Sequence, residues 1–172
     1  MQDKEAVVTM KGNPLTLVGS QVKVGDPAPD FEVLANDLSP VKFSSFRDKV
    51  CIITSVPSLD TSVCDVMTRR FNQEAGKLGD DAVVLTISMD LPFAQKRWCG
   101  AAGVDNVRTL SDYHEVSFGM AFGVLIKELR LLARAVFVVD RDGVVQYKQI
   151  VDELTDEPDY EAALKAAEGV IR

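Results

Sequence analysis

What this sequence lacks narrows its identity first. Cysteine is scarce. Only Cys51, Cys64 and Cys99 occur, too few and too scattered for a secreted disulfide framework. No two of them form a Cys-x-x-Cys pair, so neither a local redox dithiol nor a paired zinc motif is encoded, and no metal is expected. Histidine occurs once, at His114, which leaves a cysteine hydrolase a single available base. No apolar run approaches the roughly 20 residues that cross a bilayer. The opening stretch MQDKEAVVTMKGNP has no signal-peptide apolar region. The expectation is a cytoplasmic protein without a membrane partner, in which any disulfide is transient and catalytic. Positive charge is also short. Lys and Arg number 19 against 26 Asp and Glu, a net charge of -7, which argues against a nucleic-acid partner.

What remains is ordinary globular material, 47% hydrophobic and 26% charged. A length of 172 residues suits one domain, residues 1–172, with one substantial core. No repeat, low-complexity tract or linker divides it. AVVTM and LTLVG around KGNP predict an N-terminal β-hairpin. VCIITSV, residues 50–56, is almost continuously apolar and partly β-branched, which suits a strand buried on both faces. Val63, Met67, Phe71, Ala75 and Leu78 then recur at helical spacing, with fraying expected at Gly76 and Gly79. AVVLTIS (82–88) predicts a second buried strand, LPFAQKRWCGAAG (91–103) a short helix closed by Gly100 and Gly103, and VRTL a short strand. EVSFGMAFG predicts a glycine-interrupted helix. Residues 134–151 predict a hairpin turning at Asp142-Gly143, and DEPDYEAALKAAEGVI a closing helix. Strand-helix alternation followed by an antiparallel hairpin predicts an α/β chain, a mixed sheet with helices on both faces.

Cys64 is the residue that invites chemistry. Asp60, Thr61 and Ser62 are all helix-capping types, so the helix is expected to start at or just after one of them. Cys64 then lies in the first turn, where the dipole and free N–H groups stabilise an anion and hence the nucleophilic thiolate. It also lies beside the helix's apolar face and is expected to be partly shielded. A packed, inert cysteine is the competing expectation. Cys51, inside the strand, is expected to be structural. His114, in SDYHEVSF, is expected at the surface, with a Cys64–His114 hydrolase kept as an alternative. Arg134, on its own, reads as a strand-end salt-bridge partner. Asp60, Arg69 and Arg70 read as solvated helix charges, although Arg70 stands within reach of the site, and Trp98 reads as packing.

The stretch PSLDTSVC carries Pro57, Thr61 and Cys64 in the register of the peroxiredoxin active-site pattern. Together with PSLDTSVCDVMTRRFNQEA, DLPFAQKRWCGAAG, LLARAVFVVD and DEPDYEAAL, it resembles the thiol peroxidase subfamily, the atypical two-cysteine peroxiredoxins. The resemblance runs from about Lys11 to the last helix. It implies a thioredoxin-like fold with an N-terminal β-hairpin, no cofactor, and a homodimer. It implies that Cys64 is the peroxidatic cysteine and Cys99 the resolving one, joined as an intramolecular Cys64–Cys99 disulfide. It also implies that Arg134, Thr61 and Pro57 complete the active site, that the substrate is a hydroperoxide, and that thioredoxin is the reductant. Ser62 and Met67 depart from residues common in related sequences, outside that catalytic set. A peroxide sensor using the same cysteines remains an alternative. Because Cys64 and Cys99 fall on separate predicted helices, a disulfide between them demands that the Cys99 helix shift or unwind.

Overall fold

The structure, a computed structural model, describes residues 3–103 and 106–171, with side chains described from Val8 onward. The expectations for the first two residues and for the C-terminal arginine lie outside the described residues.

The central strand is β5 (Val50–Ser55), and its six residues are all buried. Alternation along a strand sends successive side chains to opposite faces. Val50 and Ile52 accordingly enter one core, and Cys51 and Ile53 enter another. This is the physical reason for the continuous apolar run: each face of β5 has its own core. β6 (Ala82–Ser88) and β7 (Val107–Ser111) extend the sheet in parallel on one side. β10 (Ala135–Val139) pairs antiparallel to β5 on the other, and β11 (Val145–Ile150) pairs antiparallel to β10. β3 (Glu32–Leu34) and β4 (Pro40–Lys42) complete seven strands in the order β11-β10-β5-β6-β7-β3-β4. The β10–β11 turn closes at Gly143, whose φ of +81° suits glycine, with its N–H donating to the Asp140 carbonyl.

One face carries α1 (Ser62–Leu78) and α4 (Tyr160–Val170), which pack on Ile52, Val84, Val136 and Val138. Asp159 caps α4 by accepting the Ala162 N–H at 3.0 Å. α2 (Pro92–Ala102) runs beside β7. The opposite face packs α3 (Ser117–Phe122) through a cluster of Phe31, Phe43, Phe118, Phe122 and Phe137. The mixed sheet with helices on both faces is the thioredoxin-like arrangement expected.

Three local features go beyond the sequence reading. α1 runs through Gly76 without fraying and stops at Gly79, because its apolar face is held against the sheet over its whole length. The loop after β4 contains a 3-10 turn at Phe43–Phe46. The N-terminal hairpin, β1 (Asp3–Met10) and β2 (Asn13–Val18), is only half of its sheet. It continues into β8 (Leu125–Ile126) and β9 (Leu131–Leu132) in the order β1-β2-β8-β9. Close approach at Gly19 seats this sheet on α3: a Cβ there would lie 2.5 Å from the Met120 carbonyl oxygen.

Candidate active site

β5 delivers the chain to the site, and α1 starts it again after a loop. Thr61 is the residue before the first turn of α1, yet its side chain does not cap the helix. Its hydroxyl donates instead to the Ser58 carbonyl, at 3.1 Å. With that proton committed, the Thr61 oxygen is left as an acceptor at the edge of the pocket. The first-turn N–H groups stay uncapped by Thr61, in the position where a helix favours negative charge.

Cys64 lies in this first turn, and its burial is complete at 0% exposure rather than the partial shielding expected. The antiparallel register explains what faces it. Ala135 of β10 stands opposite Ser55 of β5, and the Ser55 hydroxyl donates to the Ala133 carbonyl at 2.7 Å. Arg134 is thereby pinned beside the end of β5, on the α1 side of the sheet. Its Nη1 lies 3.2 Å from Cys64 Sγ and 3.7 Å from Met67 Sδ. Its Nε and Nη2 both donate to the Leu154 carbonyl, at 3.0 and 2.8 Å. Arg134 is only 2% exposed, and among the described residues no carboxylate pairs with it. The strand-end salt bridge is therefore replaced by a contact to sulfur. A buried guanidinium without an anion is expensive, and the Cys64 sulfur is the group that its Nη1 meets.

Pro57, Thr61 and Arg134 also line a pocket of about 200 Å³ walled by Met10, Val63, Leu129, Leu131 and Leu154. Arg134 connects the two, since it lines the pocket and touches Cys64. Met67 proves to touch the guanidinium, a contact that its place on the apolar helix face does not announce. The Leu154 carbonyl carries no sequence signal at all, because every residue has one.

Cys99 sits elsewhere. It is half-buried on α2, its Sγ is 3.3 Å from Thr109 Oγ1, and it lines a separate pocket with Asn36, Asp37 and Thr109. All three cysteines are free thiols. α2 is fastened to α1 near Cys64: Trp98 Nε1 donates to Asp65 at 3.0 Å, and Arg69 bridges Asp65, at 2.9 Å, and the Ala102 carbonyl, at 3.1 Å. Trp98 and Arg69 thus do more than pack or solvate. Arg70 turns away, toward Glu74 at 3.6 Å and the ring of Tyr160.

Cys51 is buried in β5, and burial pushes its thiol up to about 12, a packed and inert sulfur as expected. His114 is exposed, pairs with Glu115 at 3.0 Å, and lines a third pocket that contains neither Cys64 nor Arg134. The hydrolase alternative loses its base. Among the described residues, no His, Cys, Asp and Glu group could hold a metal, and no helix is long and apolar enough to cross a membrane.

Comparison with known proteins identifies the family. The Redoxin family model matches residues 23–164. The chain is 58% identical to the thiol peroxidase of Bacillus subtilis (strain 168) over 167 residues, 97% of this chain and 99% of that one. It is 56% identical to the thiol peroxidase of Staphylococcus aureus (strain MRSA252), over 95% of this chain and 98% of that one. The crystal structure of a peroxiredoxin-like protein from Aquifex aeolicus superposes with a TM-score of 0.91 at 41% identity, covering 99% of this chain and 100% of that one. The family model and the near-full-length identity to these proteins, on a shared fold, place the chain in the redoxin family as a peroxiredoxin-type thiol peroxidase.

Proposed function

We propose that the protein reduces hydrogen peroxide and alkyl hydroperoxides with Cys64 as the peroxidatic cysteine. The observation that carries this reading is the buried Arg134 guanidinium, 3.2 Å from Cys64 Sγ and without a carboxylate partner. The Cys64 thiolate attacks the terminal oxygen of the hydroperoxide. The O–O bond breaks, the sulfur becomes a sulfenic acid, and the departing alkoxide or hydroxide takes a proton to leave as alcohol or water. Arg134 and the first-turn amides face the charge that develops on the oxygens, and Thr61 accepts from the peroxide O–H. Pro57 walls the pocket against water. The apolar lining of Val63, Leu129 and Leu131 supports alkyl hydroperoxides as substrates beside hydrogen peroxide itself.

Cys99 then attacks the sulfenic sulfur. A Cys64–Cys99 bond forms, and the sulfenic hydroxyl leaves as water with one added proton. Cys64 is enclosed in the core under α1, and Cys99 lines a pocket on α2 that does not contain it, so α2 must leave its seat for the two Cα atoms to approach within about 7 Å. A dithiol, thioredoxin in this reading, returns both cysteines to thiols. The protein acts as one domain, 1–172, in the cytoplasm, as a homodimer and without a cofactor.

The test is intact mass and free-thiol count after one equivalent of hydroperoxide. The wild type should lose two thiols, Cys99→Ser should trap a sulfenic acid, and Cys64→Ser should stay inert. Oxidation of Cys64→Ser like the wild type would sink the proposal.

A further inference from the structure

Cys64 is buried under α1 and Cys99 lines a pocket on α2, but one carboxylate touches the supports of both. Asp90 follows β6 and accepts three hydrogen bonds from two directions. From the loop before Cys64, the Ser58 hydroxyl donates to Oδ1 at 2.7 Å, and the Leu59 N–H to Oδ2 at 2.8 Å. Ser58 is the residue whose carbonyl receives the Thr61 hydroxyl, so Asp90 sets the place from which Thr61 faces a peroxide. From the other direction, the Ser88 hydroxyl donates to Oδ2 at 2.8 Å. Ser88 Oγ in turn accepts from Gln95 Nε2, at 3.0 Å, and the same nitrogen donates to the Leu110 carbonyl at 2.9 Å.

Gln95 lies one turn before Cys99 on α2 and is wholly buried. It is the side chain that ties the Cys99 helix into the edge of the sheet. Its Oε1 is buried with no hydrogen-bond partner. A buried oxygen without a partner raises the free energy of the seated helix, and release of α2 into water would satisfy it. The Gln95 anchor is therefore both specific and easily lost.

We propose that Asp90 is a positioning residue shared by the two half-reactions: it holds the peroxide-facing loop in place and, through Ser88 and Gln95, restrains the Cys99 helix. The inference rests on the reading that Cys99 resolves Cys64. Its consequence is a pair of effects of opposite sign. Loss of the carboxylate slows attack on peroxide, because Ser58 and Thr61 lose their seat. The same loss speeds resolution, because α2 leaves more readily.

The test separates the steps. Oxidation of Cys64 is timed in a Cys99→Ser background. Resolution is timed in the two-cysteine protein, by quenched mass analysis and by the fluorescence of Trp98. Asp90→Asn keeps the shape but turns an N–H group toward the donors. It should slow oxidation by roughly tenfold and speed resolution several-fold, the size expected when two net hydrogen bonds are lost. Ser58→Ala should slow oxidation alone, and Gln95→Leu should speed resolution alone. These two keep the carboxylate and carry the test if Asp90→Asn fails to fold. A purely structural role would lower the melting temperature and leave both rates unchanged or move them together, which overturns the inference. A wild type that never forms the Cys64–Cys99 disulfide overturns the underlying reading and the inference with it. A wild type that forms it, with rates untouched in Ser58→Ala and Gln95→Leu, overturns the inference alone.

Discussion

Arg134→Met is the perturbation that probes the chemistry most directly. Methionine keeps much of the volume and removes the charge. At 3.2 Å and an effective dielectric of about 20, a guanidinium and a thiolate attract by about 5 kcal/mol. The net loss is smaller, since a charged hydrogen bond contributes about 1.5–3 kcal/mol. Loss of a donor aimed at developing transition-state charge costs about 2.7–4 kcal/mol in comparable sites, a factor of roughly 10²–10³. Oxidation of Cys64 should slow by about that factor. Stability should move much less. The variant removes a buried, unpaired charge, which favours folding, and strips two donors from the Leu154 carbonyl, which opposes it. Stopped-flow oxidation in a Cys99→Ser background, beside a thermal melt, measures both. A rate within about threefold of the parent, with the fold intact, would refute the claim that Arg134 stabilises the reacting sulfur and oxygen.

Three further outcomes follow from the same structure. Burial pushes the Asp112 carboxyl up to about 6 from an ordinary 3.8, against the pull of N–H bonds from Gly119 and Phe118. A raised folded value adds stability below the unfolded value and loses it as pH rises through the folded one. The wild type should therefore gain about 2 kcal/mol relative to Asp112→Asn between about pH 7 and pH 4, read as the difference between two denaturation series; a difference flat with pH would contradict it. Leu131→Asn should lower the preference for an alkyl hydroperoxide over hydrogen peroxide by roughly tenfold in kcat/KM, because it wets an apolar wall of the pocket; an unchanged ratio would place the alkyl group elsewhere. Cys51, held at about 12 inside β5, should resist alkylation in the folded protein and react only on unfolding, as mass mapping would show.

Much of the framework was legible because it follows from short-range rules. The apolar run 50–56, the helical spacing from Val63 to Leu78 and the turn at Asp142-Gly143 all report local periodicity and turn chemistry. β8 and β9 were not legible, because two-residue strands have no period to detect; β8 forms only against β2, and β9 only against β8. Gly76 misled because an isolated glycine weakens a helix in the absence of packing, and here the packing prevails.

The sequence by itself determined that a cysteine stands at a helix start, that its chain order matches a known peroxidase pattern, and that no local dithiol or metal motif competes with it. Those properties reside in neighbouring residues and survive reading in one dimension. Tertiary structure alone decided what surrounds the sulfur. Arg134 reaches Cys64 across 70 residues of chain because antiparallel pairing sets Ala135 opposite Ser55. The same folding leaves the arginine without a carboxylate among the described residues, buries the thiol completely, seats Cys99 in a pocket on α2, and closes the Asp90 bridge between them. Such contacts depend on register and on which face of a sheet each helix covers, and these are settled only when the two cores close on opposite faces of β5.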